Sequence, residues 1–142
     1  MRPSKDIFYK LASNPQHYKV CHELLRSVDN DGDLQFPTIM AMRDGQCIGL
    51  VSTLPSDKMV ALGRIAVRRG QNGGILGMRL IEAYENVLAT LKMEIYYIPV
   101  DKRFPRLISH MEEVFPGTKF GDDETHVWFK RSLTNGRIAK SA

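Results

Sequence analysis

Apolar residues recur along this chain in two periods, and each change of period marks an element boundary. Asp6 to Ala12 alternates, with Ile7, Tyr9 and Leu11 on one side, and predicts a short first strand. Ser13-Asn14-Pro15 supplies a capping side chain and a proline for a first helical turn. Val20, Leu24 and Val28, flanked by Cys21 and Leu25, form the buried stripe of a helix that reaches Val28. The polar run Asp29-Asn30-Asp31-Gly32-Asp33 breaks it. Phe36 to Arg43 and Gln46 to Leu54 predict two strands joined by Asp44-Gly45, a pair suited to the positive φ angles of a tight hairpin turn. Pro55-Ser56-Asp57-Lys58 turns the chain again, and Met59 to Val67 is the third strand of a meander.

The period then lengthens. From Gly74 onward Ile75, Leu76, Leu80, Ile81, Tyr84, Val87, Leu88 and Leu91 lie three or four apart, an apolar stripe along a long helix. Met93 to Val100 carries Tyr and Ile on both faces and reads as a central strand. Strand, helix and strand from Met59 to Val100 make a β-α-β unit, whose strands should be parallel. Phe104 to Phe115 predicts a further helix with Leu107, Ile108, Met111 and Val114 inward. Thr118 to Phe120 and Thr125 to Lys130 predict a closing hairpin across Gly121-Asp122-Asp123. The fold class is α+β, a mixed sheet flanked by helices. The pattern shows neither repeat nor internal boundary, so residues 1–131 read as one domain and 132–142 as a basic tail.

The junction between the third meander strand and the long helix invites a ligand. Arg68-Arg69-Gly70-Gln71-Asn72-Gly73-Gly74 leads directly into the helix. A helix N-terminus presents unpartnered N–H groups and partial positive charge, and glycines let a ligand reach the backbone. A phosphate or pyrophosphate suits such a loop. It is not a P-loop, since no Gly-Lys-Ser/Thr follows, and no acidic residue ends a second strand where a dinucleotide fingerprint requires one.

Composition narrows the classes. A chain of 142 residues with 43% apolar and 25% charged residues has room for a real core. No apolar run is long enough to cross a bilayer, and the opening MRPSKD is no secretory signal, so a cytoplasmic protein is expected. Cys21 and Cys47 lie far apart without metal spacing and read as free thiols of a reducing compartment. His17, His22, His110 and His126 form no metal-binding pattern, and no metal is expected. Asp29 to Asp33 resembles the start of a calcium loop, but Met40 stands where the closing glutamate belongs. The net charge of +4 equals the contribution of Lys130, Arg131, Arg137 and Lys140 at the C-terminal end. A second basic stretch, Lys58, Arg64, Arg68, Arg69 and Arg79, surrounds the glycine loop and suggests an anion-attracting face. Nucleic acid is not an expected partner, because no aromatic stacking platform interleaves the basic tail.

The order of elements and the glycine loop together resemble the GNAT N-acyltransferase superfamily, from roughly Ile7 to Lys130 and most strongly from Thr38 to Phe120. In that family an Arg/Gln-x-x-Gly-x-Gly/Ala loop wraps the pyrophosphate of acetyl-CoA. Gln71-Asn72-Gly73-Gly74-Ile75-Leu76 supplies the Gln and the first Gly, with Leu76 where Gly or Ala belongs. A shift by one makes Gly77 the small residue and places Asn72 at the Arg/Gln position. The resemblance implies that the backbone of Arg64 to Val67 pairs with the pantetheine arm, in a gap where the two parallel strands splay. It implies phosphates on the loop N–H groups and Arg68 or Arg69, and a thioester oxygen held by an N–H near Ile65, Ala66 or Val67.

Two departures from the family pattern stand out. From Met59 to Val67 there is no acid to direct a water as general base. The family's helix tyrosine, which protonates the leaving thiolate, is replaced in His110-Met111-Glu112-Glu113-Val114-Phe115 by His110, a residue able to donate a proton near neutral pH. Glu94 opens its strand far from the expected gap, Asp101 is flanked by Lys102 and Arg103, and His126 sits on a terminal strand facing core or solvent. None of these makes a constellation on the sequence alone. Two functions follow as expectations. One is acyl transfer from a coenzyme A thioester to an amine acceptor, with His110 as acid. The alternative is a degenerate GNAT-like assembly protein, for example a bacteriophage virion component. Its basic tail, with only Leu133 and Ile138 as large apolar residues, would dock on a protein partner or another copy.

Overall fold

The computed structural model describes residues 6–28, 32–54, 61–71 and 73–133. The elements run β1 (Phe8–Leu11), α1 (Pro15–Ser27), β2 (Thr38–Arg43), β3 (Gln46–Leu54), β4 (Ala61–Val67), α2 (Gly73–Thr90), β5 (Ile95–Asp101), α3 (Pro105–Val114), β6 (Lys119–Asp122) and β7 (His126–Ser132). Every expected element is present. The local reasons hold as well: Asn14 Oδ1 accepts the His17 N–H at 2.9 Å and caps α1. Asp44 and Gly45 take φ of 51° and 76° in the β2–β3 turn.

The strands form a seven-stranded sheet in the order β1-β2-β3-β4-β5-β7-β6. Neighbours are antiparallel except β4 and β5, which are parallel. α1 packs on β3 and β4 over a core of Cys21, Leu24, Leu25, Met40, Leu50 and Ala66. The other face carries the larger core, where Leu76, Leu80, Tyr84 and Leu88 of α2 and Met111 of α3 meet Ile39, Val51, Tyr96, Ile98 and Phe129. Cys21 and Cys47, distant in sequence, meet across the α1 side as free buried thiols; the neighbouring Cys47 and burial push the Cys21 thiol up.

Some side chains depart from the expected stripes. Ile75 is 63% exposed, because it shares a helix face with the solvent-facing pair Arg79 and Glu82, and Leu91 lies past the last turn of α2. On α3, Met111 is buried and Ile108 half-buried, whereas Leu107 and Val114 are exposed. The residue assigned to tail charge, Arg131, belongs to the sheet. It donates to both oxygens of the buried Glu85 at 2.8 and 3.1 Å and lies 4.1 Å over the Phe115 ring. Tyr96 O–H donates to the same carboxylate at 2.7 Å, so α2, β5, β7 and the end of α3 are joined through one buried ion pair. The expectation that Leu133 finds no burial on its own domain is also corrected. β7 continues to Ser132, and Leu133 is buried with its N–H on the Glu94 carbonyl at 2.7 Å. The tail's Arg137, Ile138 and Lys140, like Asp29 to Asp31, Met59, Asn72 and the turn Pro55 to Lys58, lie outside the described residues.

Candidate functional site

Between β4 and β5 the described residues pair in register only at Ala61 and Tyr97, and beyond that point the strands part. The cause lies in β4. The β3–β4 register shifts between Ser52–Arg64 and Thr53–Leu62, which leaves Gly63 as the extra residue of a bulge. A Cβ on Gly63 would stand 2.6 Å from the Leu54 Cα and 2.7 Å from its N, a distance only glycine tolerates. A bulge bends its strand and increases the local twist, and this one falls directly after the last β4–β5 pair, at Ala61.

The gap is a cleft of about 750 Å³. Arg68 N–H donates to the Ile48 carbonyl at 2.8 Å, which fixes the phase of the β3–β4 ladder. By alternation the N–H and C=O groups of Ile65 and Val67 point away from β3 and toward the cleft. On the β5 side the same count directs position 99 toward β4. Pro99 stands there, lacking an N–H that the splayed β4 would leave without an acceptor. The cleft passes through the sheet. One mouth is lined by Met78 and Ile81 of α2 with Leu107, His110 and Met111 of α3. The other is lined by Arg64, Asp101 and His126. Leu107 thus faces the cleft, which is why it is 42% exposed despite its inward phase.

The glycine loop and the start of α2 run between two cleft-lining residues, Val67 and Gly77. Gly70 takes φ 90°, the Gln71 N–H bonds the Arg68 carbonyl at 3.2 Å, and α2 begins at Gly73 and Gly74. The side chains expected to meet an anion are partly engaged elsewhere. Gln71 Oε1 accepts from Arg43 at 2.6 Å, and Arg68 Nε donates to the Cys47 carbonyl at 3.1 Å. Arg69 is exposed, Ala66 faces the α1 core, and Leu76 is buried under α2. Of the residues expected to bind, Ile65 and Val67 line the cleft, and Gly73 and Gly74 are the first residues of α2.

His110 lines the cleft from α3 and is exposed. His126, expected to face core or solvent, lies instead in the cleft, directly across the β5–β7 ladder from Asp101. Arg103 grips both Asp101 oxygens at 2.8 to 3.1 Å and holds that carboxyl below its usual range. Lys102 turns away to Asp122 at 2.8 Å. Glu94 is exposed at the opposite end of β5, outside the cleft lining. Two features of the cleft were not read from the sequence, the bulge at Gly63 and the bonding within the Asp123 turn. Gly63 had a signal, since a glycine inside a strand pattern suggests a bulge. Asp123-Glu124-Thr125-His126 had another, an Asp at a turn start able to tie down the residues that follow.

That turn is tightly held. Asp123 accepts from the Trp128 Nε1–H at 2.8 Å and from the Thr125 and His126 N–H groups at 2.8 Å each, bonds that depress its pKa far below the ordinary carboxylate range. A depressed folded-state pKa stabilises the turn above the ordinary range, and that contribution is lost as pH falls through the depressed value. Trp128 is the only tryptophan. The fluorescence change that reports Asp123, as distinct from any effect of the His126 ring 6.4 Å away, should therefore come not at about pH 4, where an unpaired Asp titrates, but further into acid. A transition centred at about pH 4 would show that the turn does not hold Asp123 in solution.

No protein-family model matches the sequence, and no curated protein matches it. Solved structures do. A GNAT family N-acetyltransferase from Escherichia coli, determined in complex with CoA, superposes with a TM-score of 0.70 at 17% identity, covering 97% of this chain and 87% of its own. The fold is that of the GNAT N-acetyltransferases. An aminoglycoside 6'-N-acetyltransferase complexed with coenzyme A shares the GNAT fold at TM-score 0.64 and 16% identity, over 89% of this chain and 97% of its own. The ribosomal-protein-S18-alanine N-acetyltransferase from Escherichia coli matches at 0.64 and 12%, over 89% and 94%. Among the described residues no helix is long and apolar enough to cross a membrane, and no cluster of His, Cys, Asp or Glu could hold a metal ion.

Proposed function

We propose that this chain is an acyl-CoA-dependent N-acyltransferase that moves an acetyl group to an amine. The observation that carries this is the splay of β4 from β5. It creates a cleft through the sheet and turns the Ile65 and Val67 peptide groups into it. An edge of this kind can pair with the amides of a pantetheine arm as a strand would. Ile65, Val67, Met78, Ile81 and Leu107 give that arm an apolar wall, and the α2 N-terminus at Gly73 and Gly74 offers N–H groups for the pyrophosphate. The fit favours backbone over side-chain recognition, since Gln71 and Arg68 already have partners. Bound acetyl-CoA would supply an activated acyl group. An N–H of Ile65 or Val67 would stabilise charge on the acyl oxygen, and His110 would protonate the departing sulfur. The amine would enter by the opposite mouth, between Arg64 and His126.

Calorimetric titration with coenzyme A tests the binding. A Kd within about 1 μM to 1 mM is expected, the usual span of enzyme substrates. Gly73→Val and Gly74→Val should each abolish it by blocking backbone approach. Unchanged affinity in both variants would remove the loop from the site. His110→Ala should retain binding and lose turnover by roughly 10²–10⁴-fold, the range for acid–base groups.

A further inference from the structure

If the cleft transfers acyl groups as proposed, the attacking amine must shed a proton, and β4 from Ala61 to Val67 holds no acid to receive it. We infer that His126 is the general base, its Nε2 kept as the acceptor nitrogen by a hydrogen-bond relay from Asp123 through Thr125.

Position comes first. His126 lines the cleft from β7, on the sheet face opposite Val127 and Phe129, which pack into the α2 and α3 core. That is the mouth away from α2 and α3, where an acceptor can approach without crossing the thioester arm. Direction comes next. Thr125 Oγ1 donates to Asp123 Oδ1 at 3.2 Å, and an ionised carboxylate can only accept. The hydroxyl has a single proton, so toward His126 Nδ1, 2.8 Å away, it is the acceptor. Nδ1 therefore carries the ring proton, and in the neutral imidazole Nε2 is left with its lone pair. Rigidity completes the case. The His126 N–H donates to the same Oδ1 at 2.8 Å, and the Asp123 N–H donates back to the His126 carbonyl at 2.9 Å.

The competing groups are less suited. Asp101 is saturated by Arg103, and His110 has no orienting hydrogen bond among the described residues. The charged and titratable groups that line the cleft with His126 are Arg64, Asp101 and Arg103, with His110 at the other mouth, and Asp123 lies in its own turn. In the reaction His126 Nε2 takes the proton lost by the acceptor nitrogen as that nitrogen bonds the acyl carbon. The carbon–sulfur bond breaks, the sulfur keeps the electron pair, and His110 or water protonates it. His126 then returns its proton to solvent.

The test uses the full chain in two measurements. Nitrogen-15 NMR of the histidine rings should show neutral His126 as the Nδ1–H tautomer, and Thr125→Val should move it toward Nε2–H. Turnover of acetyl-CoA would be followed with a primary-amine panel: an aromatic monoamine, an α-amino acid and a diamine. His126→Gln should lower kcat by roughly 10²–10⁴-fold, with coenzyme A affinity unchanged and activity returning at alkaline pH, where the amine arrives deprotonated. An Nε2–H tautomer in the wild type, or full turnover in His126→Gln, would overturn the assignment and leave acyl transfer standing. A wild-type chain that binds no coenzyme A and turns over no amine would overturn both.

Discussion

Gly63→Val is expected to lower the stability of the protein by about 3 kcal/mol, at the upper end for overpacking. The reason is that nothing nearby can give way. The added Cβ would meet the N, Cα and Cβ of Leu54 at 2.6 to 2.9 Å, and two of those atoms are main chain in the neighbouring strand. Relief would require β3 and β4 to separate or the bulge to be expelled. Expelling it would restore the β3–β4 register and swing the end of β4 back toward β5, closing the cleft. Urea unfolding should show the midpoint falling by more than about 1 M. Coenzyme A affinity should fall in whatever protein remains folded. A variant as stable as the wild type would show that the bulge accommodates a Cβ at Gly63.

Arg131→Met should cost about 3–5 kcal/mol, the range for breaking a buried ion pair on one side. Arg131 and Glu85 side chains are only 21% and 12% exposed, so the carboxylate left behind recovers only part of its hydration, through the pocket that both residues line. Tyr96 O–H would remain as its partner, one neutral donor where a guanidinium gave two charge-assisted bonds. Methionine keeps contact with the Phe115 ring, so the loss reports charge rather than packing. The double variant Arg131→Met, Glu85→Leu should regain most of the stability, because both charges are then absent. A single variant within about 0.5 kcal/mol of wild type would show that Glu85 reaches water. The pair also anchors the end of α3 through Phe115, so the single variant should loosen the helix that carries His110.

Much of the architecture was legible in the sequence because its causes are local. The periods of two and 3.6, the Asn14 cap, Pro15 and the Asp44-Gly45 turn act within a few residues, and each produced the element it predicts. The glycine loop and the β-α-β order around it placed the candidate site at the end of β4 by the same local logic. His110 was picked out by its place in the family's helix frame, where a tyrosine is usual, and it lines the cleft.

What the sequence could not decide depends on partners distant along the chain. Arg131 reads as tail charge until α2 brings Glu85 to it, 46 residues away. Leu107 reads as core until the splay beneath it leaves a cleft in place of a strand. His126 faces core or solvent with equal sequence warrant. Only the β7 register against β5 sets it across from Asp101 and into the cleft. Cys21 and Cys47 meet because α1 lies across β3. By itself the sequence determined the elements and their order, since local sterics, capping and hydrophobic period act over one or two turns. The tertiary structure alone decided the splay at Gly63, the ion pair under α2 and the two histidines in one cleft, since each needs a register or a packing contact between residues far apart in the chain.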